Sequence, residues 1–108
     1  MKSNHVTLIG YVGSHLLASK LENGSKRLSI RMATHYSQKN QHEEKTYQTV
    51  WHDVVAWDKV ADYAEKSLVK GSRIMVEGFI TYRTYTDKQG HPRYITLISA
   101  ESLMNLDR

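Results

Sequence analysis

The 108-residue sequence contains no cysteine, which excludes disulfide bonds, thiolate nucleophiles and thiolate-bound zinc. It has one proline, and no apolar run approaches the ~18 residues that a membrane-spanning helix needs. The first residues lack the apolar core of a signal peptide. We therefore expect a cytoplasmic protein that does not enter a membrane, built as one domain over residues 1–108.

The motifs of common enzymes are also missing. The sequence has no phosphate-binding loop, no dinucleotide fingerprint and no G-x-S-x-G. Its histidines stand at positions 5, 15, 35, 42, 52 and 91, and no two have the i,i+4 spacing of a helical metal site. We expect no catalytic activity, no cofactor and no metal.

Positive charge and polar aromatic residues are what the sequence does have. Fifteen Lys and Arg against eleven Asp and Glu give a net charge of +4. The isoelectric point of about 9.4 lies in the range of nucleic-acid-binding domains. Seven Tyr and two Trp stand against one Phe. Tyr and Trp combine a flat apolar face with a polar edge, so they suit a hydrated binding surface.

Alternation with a period of two dominates the chain. Leu28, Ile30 and Met32 fall on one face of a segment whose other face carries Arg27 and Arg31. This pattern predicts a half-buried strand with a basic outer face. The five predicted strands are Asn4–Gly13, Arg27–His35, Tyr47–Trp57, Ser72–Tyr85 and Arg93–Met104.

One segment has helical spacing instead, with Asp58 as the expected N-cap and Gly71 as the expected C′ residue. It lies between the third and fourth strands. An all-β chain of five strands with one short helix at that point predicts an OB-fold, which is a partly open Greek-key barrel. An SH3-like barrel is the main competitor, but it lacks a helix there.

The connections are predicted from turn residues. Gly10 and Gly13 interrupt the first strand and indicate a bulge or bend. Asn23 and Gly24 predict a tight hairpin turn. The polar stretch from Tyr36 to Thr46 is expected to be a long, mobile loop.

Trp51 and Trp57 stand six residues apart on one predicted strand and therefore point to the same face. The small core cannot easily hold two indoles in addition to the inward Leu, Ile and Val side chains, which favours a surface position. Stacking aromatics beside cations are typical of single-strand binding. Other aromatic and basic residues that fit this pattern are Tyr36, Tyr85, Arg31, Arg83 and Arg93.

Four ordered segments resemble a known family. They read N-H-V-T-L-I-G-Y-V-G, then T-V-W-H-D-V-V-A-W-D-K-V-A-D, then L-V-K-G-S-R-I-M-V-E-G-F-I-T-Y-R-T-Y-T-D-K-Q-G, and finally Y-I-T-L-I-S-A-E. With this spacing, the chain resembles the bacterial single-stranded DNA-binding proteins (SSB) over about residues 4–103. The resemblance implies an OB-fold that forms a homotetramer, or a dimer, and binds single-stranded DNA in replication, recombination and repair, hence near the nucleoid.

The resemblance also assigns roles to residues. The family's stacking positions fall on Trp51, Trp57 and Tyr85. Its phosphate-contacting positions fall on Lys59, Lys70, Arg83 and Arg93, and its subunit-interface histidine falls on His52.

This sequence departs from the family pattern in three places. Gln38 stands where the family has a loop aromatic, so Tyr36 is the candidate substitute, and His5 replaces a lysine. The sequence stops at Arg108 without the family's acidic tail, so recruitment of replication and repair proteins is not expected. Alternative functions are a dimeric primosomal replication accessory protein, an RNA-binding OB module and an OB-type protein-interaction domain.

Overall fold

The computed structural model describes residues 3–107, apart from the side chain of His15, and contains a closed five-stranded barrel with one helix. The elements are β1 (Val6–Lys20), β2 (Lys26–Lys39), β3 (Lys45–Trp57), α1 (Asp58–Ser67), β4 (Arg73–Thr86) and β5 (Pro92–Asn105). This confirms the predicted order of elements. The ends of the domain expected over 1–108 lie outside the described residues.

The barrel closes in the order β1-β2-β3-β5-β4 and back to β1. Neighbouring strands are antiparallel except β3 and β5, which run parallel. Val54 pairs with Ile98 and Val55 with Ser99, and these two residue pairs form the β3–β5 seam. With α1 between β3 and β4, the architecture is the predicted OB-fold.

Alternate residues of the strands fill the barrel interior. Leu28, Ile30 and Met32 are buried, as their shared face predicted, and they join Ile74 and Val76 of β4. Burying such a side chain stabilises the fold by about 1.5–3 kcal/mol. The helix contacts β1, β2, β3 and β5. Its buried Ala61 and Ala64 therefore cover one end of the barrel.

β1 is longer than the predicted segment Asn4–Gly13, because it keeps pairing with β2 beyond an irregularity. The register shifts between Val12 and Leu16, which confirms the predicted interruption. Gly10 allows β1 and β2 to approach closely, since a Cβ there would collide with a backbone carbonyl oxygen of β2. The bulge therefore redirects the strand without ending it.

The predicted start of the helix was wrong. Trp57 is the N-cap and makes no side-chain capping bond, while Asp58 is the first helical residue. The Asp58 carboxylate instead accepts a hydrogen bond from the backbone N–H of Lys26 at 3.0 Å. It ties the start of α1 to β2. Within residues 3–107 no helix is long and apolar enough to cross a membrane.

The predicted end of the helix was also wrong. α1 ends at Ser67, and Gly71 lies later, in the turn that leads to β4. Gly71 has a φ of +90°, which favours glycine. Its N–H donates to the carbonyl oxygen of Val12 at 2.9 Å, so this turn is bonded to β1.

The stretch from Tyr36 to Thr46 is mostly paired strand, so the loop prediction was wrong. Residues 40–44 alone form the turn between β2 and β3. Asn40 Oδ1 accepts hydrogen bonds from the backbone N–H groups of His42, at 2.8 Å, and Glu44, at 3.0 Å. Backbone pairing continues although the side chains are polar. Residues 34–50 form the β2–β3 arm, and residues 82–96 form the β4–β5 arm.

Candidate nucleic-acid interface

A groove of about 250 Å³ runs along the β3–β5 seam on the outside of the barrel. Three arginines line it, Arg27 and Arg31 from β2 and Arg83 from β4, against one carboxylate, that of Asp53. Apolar side chains complete its floor and walls, among them those of Leu17, Val55, Ile95 and Leu97. The lining therefore has a net positive charge and an apolar base, which suits a polyanion that carries flat bases.

The strand registers explain why the arginines meet. Arg27 and Arg31 alternate with core residues of β2 and so point away from the barrel interior. Arg83 pairs with Ile95 across the β4–β5 arm, so both side chains share one face. The arginines of two distant segments thus border one groove.

Trp51 lies at one margin of this groove. Its side chain is 50% exposed, which confirms that the indole is not in the core. The guanidinium carbon of Arg31 is 5.4 Å from the centroid of the ring, within the range of a cation–π contact. The indole passes over Gly13 of β1, where an added Cβ would lie 2.8 Å from Cζ3. Glycine at that position therefore makes room for the ring.

Trp57 ends β3 on the same face. It pairs with Arg27, and its side chain is 39% exposed. The two indoles thus stand on one outer face, as their six-residue spacing predicted. Each stands beside an arginine that lines the groove.

The β4–β5 arm brings Tyr85 to this face, opposite Arg93. The Tyr85 ring is 48% exposed. Arg93 Nε donates to Asp87 Oδ2 at 3.0 Å, which fixes the guanidinium at the end of the arm. The pKa of Asp87 lies below its usual range because its carboxylate accepts hydrogen bonds from the backbone N–H of His91 and from Arg93.

Lys70 lies in the turn before β4, exposed to solvent. The next residue, Gly71, bonds to Val12, which neighbours the glycine under the Trp51 indole. The turn that carries Lys70 therefore lies beside β1, next to the residue that the Trp51 indole covers.

Two predicted residues are not brought to the groove. Tyr36 pairs with Gln48, on the face of the β2–β3 arm opposite the one that carries Trp51. Lys59 lies in the first turn of α1 and borders a shallow surface pocket with Tyr63 and β5 residues 101–103. Their roles in binding stay predictions that the groove geometry does not support.

His52 also faces away from Trp51. It is half-buried at the base of the β2–β3 arm, and its Nε2 lies 2.9 Å from Thr34 Oγ1. Burial lowers the pKa of His52, and the nearby Asp53 carboxylate opposes this shift. Its predicted interface role remains a prediction. In the described residues no group of three or more His, Asp or Glu could hold a metal ion.

Sequence reasoning missed two residues on the groove face. Arg27 was placed on the basic outer face but not assigned to the site, although it lines the groove. Tyr47 lies on the same face of β3 as Trp51 and is 75% exposed. Counting back in twos from Trp51 reaches Tyr47, so the period-two pattern could have found it.

Residues 3–106 match the model of the Single-strand binding protein family. The chain belongs to this family. It is 33% identical over 106 residues to "Single-stranded DNA-binding protein 1" of Xylella fastidiosa (strain 9a5c), covering 97% of this chain and 78% of that protein. It is 29% identical to a solved structure described as "Plasmodium falciparum SSB complex with ssDNA", with a TM-score of 0.89 and coverage of 99% and 97% of the two chains.

A more distant solved structure supports the fold. The small single-stranded DNA-binding protein of Streptomyces coelicolor is 24% identical and superimposes with a TM-score of 0.75. The match covers 97% of this chain and 95% of that one. The family's barrel is thus matched along almost the whole chain.

Proposed function

We propose that this protein binds single-stranded DNA, largely without regard to sequence, and catalyses no reaction. Its family membership supports this function, as do its similarities to the single-stranded DNA-binding protein of Xylella and to the Plasmodium SSB solved with ssDNA. The observation that carries the proposal is the groove, where Arg31 lies over the Trp51 ring and Arg83 faces it from another strand.

Bases stack on the exposed rings at the margins of the groove. Trp51, Trp57 and Tyr85 each leave between about a third and a half of their surface accessible, and Tyr47 extends the row along the β2–β3 arm. Every base has a flat π-face, so stacking of this kind requires no particular sequence. In this arrangement Tyr36 is replaced by Tyr47 as the aromatic of that arm.

Phosphates lie against the cations between these rings. Arg31 and Arg83 line the groove, Lys70 lies in the turn bonded to β1, and Arg93 stands opposite Tyr85. Arg27 adds a further cation on the β2 side. Asp87 fixes the position of Arg93 and offsets its charge. Arg93 therefore attracts a phosphate less strongly than the other cations and mainly orients it.

The protein assembles from several copies, as a homotetramer or a dimer. An exposed apolar patch on the outer face supports this, because Ile9 and Met104 both pair with Met75 and each is about half exposed. His52 would lie near a subunit contact at the base of its arm. Sedimentation should give an oligomer, and a stable monomer at micromolar concentration would contradict it.

The proposed single-strand binding supports a role in DNA replication, recombination and repair, where single strands are transiently exposed. A protein with this role is expected to protect and hold the strand while other proteins act on it. Its affinity must therefore be high for single strands and low for duplex DNA, whose bases are already stacked.

Titration with oligo-dT tests the function. Base stacking should quench the fluorescence of Trp51 and Trp57. If about four phosphates are neutralised, log K should fall with log salt with a slope of about −3. Duplex DNA of equal length is the control. Equal affinity for both forms, or an absence of quenching together with an absence of binding, would contradict the proposal.

A further inference from the structure

The outer face of the barrel continues past Trp51 onto β1. Tyr11 of β1 pairs with Ala33 of β2, and Ala33 pairs with Trp51 of β3. The three residues therefore follow each other across three strands on one face. Strands lie about 4.8 Å apart, so the Cα atoms of Tyr11 and Trp51 are separated by roughly 10 Å.

The small residues between the two rings are covered by them. Ala33 is only 5% exposed, although it points to the outside of the barrel. The Trp51 indole reaches across β2 to Gly13 of β1, as its contact with that position requires. Tyr11 stands two residues before Gly13 on the same strand, next to the position that the far end of the indole reaches.

His35 completes this cluster. Its ring centroid lies 6.1 Å from that of Tyr11, with the ring planes tilted by 46°. His35 Nδ1 lies 3.1 Å from Thr49 Oγ1, which restrains the imidazole. Tyr11 is 46% exposed and His35 is exposed, so both rings keep accessible surface. They form an open aromatic corner and not a packed core contact.

The surroundings of this corner hold more cations than carboxylates; the Asp107 carboxylate accepts a hydrogen bond from the backbone N–H of Arg73 at 2.9 Å. Arg73 of β4 pairs with Tyr11 on its other side and is exposed. Lys70 lies in the turn that is bonded to Val12, next to Tyr11 along β1. Arg31 stands at the Trp51 end of the same face. A DNA strand that runs from Trp51 towards β1 therefore meets further cations that can contact its phosphates.

We propose that Tyr11 and His35 form an additional base-stacking subsite, which continues the single-strand path from Trp51 across β2 to β1. This inference rests on the proposed function. It commits to single-stranded DNA as the occupant because the corner is continuous with the candidate interface and is bordered by Arg73 and Lys70.

The subsite predicts an effect that depends on oligonucleotide length. Short oligo-dT that occupies only the groove should bind Tyr11→Ala and the unchanged protein equally. Longer oligonucleotides that reach β1 should bind Tyr11→Ala roughly 5- to 100-fold more weakly. His35→Ala should show a smaller loss at the same lengths, and Tyr11→Phe should retain the affinity because it keeps the ring.

The matched control is Tyr82→Ala. Tyr82 is also an exposed tyrosine of a strand, but it pairs with Thr96 on the face of the β4–β5 arm that does not carry Arg83. Its removal should leave binding unchanged at every length. Photo-crosslinking of the unchanged protein to oligonucleotides that carry 5-bromouracil gives a readout that needs no variant, and crosslinks on Tyr11 or His35 are expected.

The possible failures are distinguishable. If the unchanged protein binds no single strand at all, the proposed function fails and the subsite fails with it. If it binds, while Tyr11→Ala and His35→Ala bind all lengths normally and no crosslink falls on either residue, the subsite alone is overturned. If Tyr11→Ala unfolds, the same decision rests on His35→Ala and the crosslinks.

Discussion

The two sides of the barrel use their positive charges differently. On the helix side, Lys26 Nζ contacts Asp62 Oδ1 at 2.9 Å and Glu65 Oε1 at 2.5 Å. These carboxylates raise the pKa of Lys26. On the groove side, Arg31 lies over an aromatic ring and Arg27 donates to the hydroxyl of Ser29 at 3.1 Å.

This difference separates cations that hold the fold from cations that can hold a ligand. Lys26 joins β2 to α1, and its charge is balanced where it stands. Arg27 contacts the Ser29 hydroxyl and Arg31 the Trp51 ring. Asp53 lies opposite Arg31 on β3, but the three arginines of the groove outnumber this carboxylate, so the groove still attracts an anion. The net charge of +4 does not distinguish these two uses, although they decide where a polyanion can bind.

The largest expected effect is on the groove side. Trp51→Ala removes a stacking ring and the support of the Arg31 guanidinium, so affinity for oligo-dT should fall by about 1–3 kcal/mol. Fluorescence anisotropy with a labelled oligonucleotide measures the loss. Tyr94→Ala is the control, since Tyr94 pairs with Thr84 on the arm face away from the groove. Equal losses of affinity in Trp51→Ala and Tyr94→Ala would contradict the assignment of the DNA-binding face to the side that carries Trp51.

Gly13→Ala should act through the same ring. The new methyl group would press on the Trp51 indole, which is half-exposed and can move, and would lie 3.0 Å from the backbone oxygen of Arg31. Affinity should therefore fall several-fold, with a smaller loss of stability than in Gly10→Ala, where the added Cβ would collide with the backbone oxygen of Ala33. Gly10→Ala provides the contrast. There the obstacle is a backbone carbonyl oxygen, so the expected result is a loss of stability of about 1–3 kcal/mol. Thermal unfolding and titration of both variants would separate these outcomes, and a destabilised Gly13→Ala of normal affinity would contradict this account.

Removing one cation from each side sharpens the comparison. Arg83→Ala should weaken binding and reduce the salt slope of log K by about 0.7, the value expected for one lost phosphate contact. Lys26→Ala should leave the affinity and the salt slope unchanged. It should lower the unfolding temperature slightly, because Lys26 forms ion pairs with Asp62 and Glu65 of the helix. Binding measured at several salt concentrations decides this. A reduced slope in Lys26→Ala would mean that the helix side also binds the strand.

The smallest expected effect is a difference in pH dependence. The pKa of His52 lies below 6.5 in the folded protein, so the unfolded chain binds the proton more readily. Stability from this group is present above about pH 6.5 and is lost as the pH falls through the lower folded pKa. The pKa of Asp62 lies below 3.8 because of Lys26, so its contribution is lost only in stronger acid.

Unfolding temperatures measured from pH 8 to pH 3 test this assignment. His52→Gln should flatten the upper part of the profile, and Asp62→Asn should flatten the lower part. A wild-type profile that stays level between pH 7 and the pH at which Asp62 titrates would contradict the assignment to His52.

Much of the fold could be predicted from local pattern. Alternation placed Leu28, Ile30 and Met32 inside, and crowding of the small core placed both indoles outside. Strand length was harder to predict, because the β2–β3 arm is held by backbone bonds that polar side chains do not reveal. The cap at Asp58 failed for a related reason, since a backbone N–H distant in sequence occupies its carboxylate.

The site could be predicted in part. Family resemblance and the alternation of side chains along a strand led to Trp51, Trp57 and Arg83. The same alternation was not applied to Tyr36 and Tyr47, which lie on opposite faces of one arm. The pairing of Lys26 with Asp62 joins residues 36 positions apart, so no local pattern indicates it. The distinction between structural and ligand-directed cations therefore required the three-dimensional arrangement.

The β3–β5 seam has a mechanical consequence. It joins the two strands through two residue pairs, Val54 with Ile98 and Val55 with Ser99, while the other strand interfaces are longer. The groove lies directly over this joint, with Arg31 on one side and Arg83 on the other. A DNA strand laid in the groove would connect β2 to the β4–β5 arm over the shortest strand pairing of the barrel. DNA binding should therefore stiffen the β3–β5 seam, the part of the barrel that is joined by the fewest strand pairings.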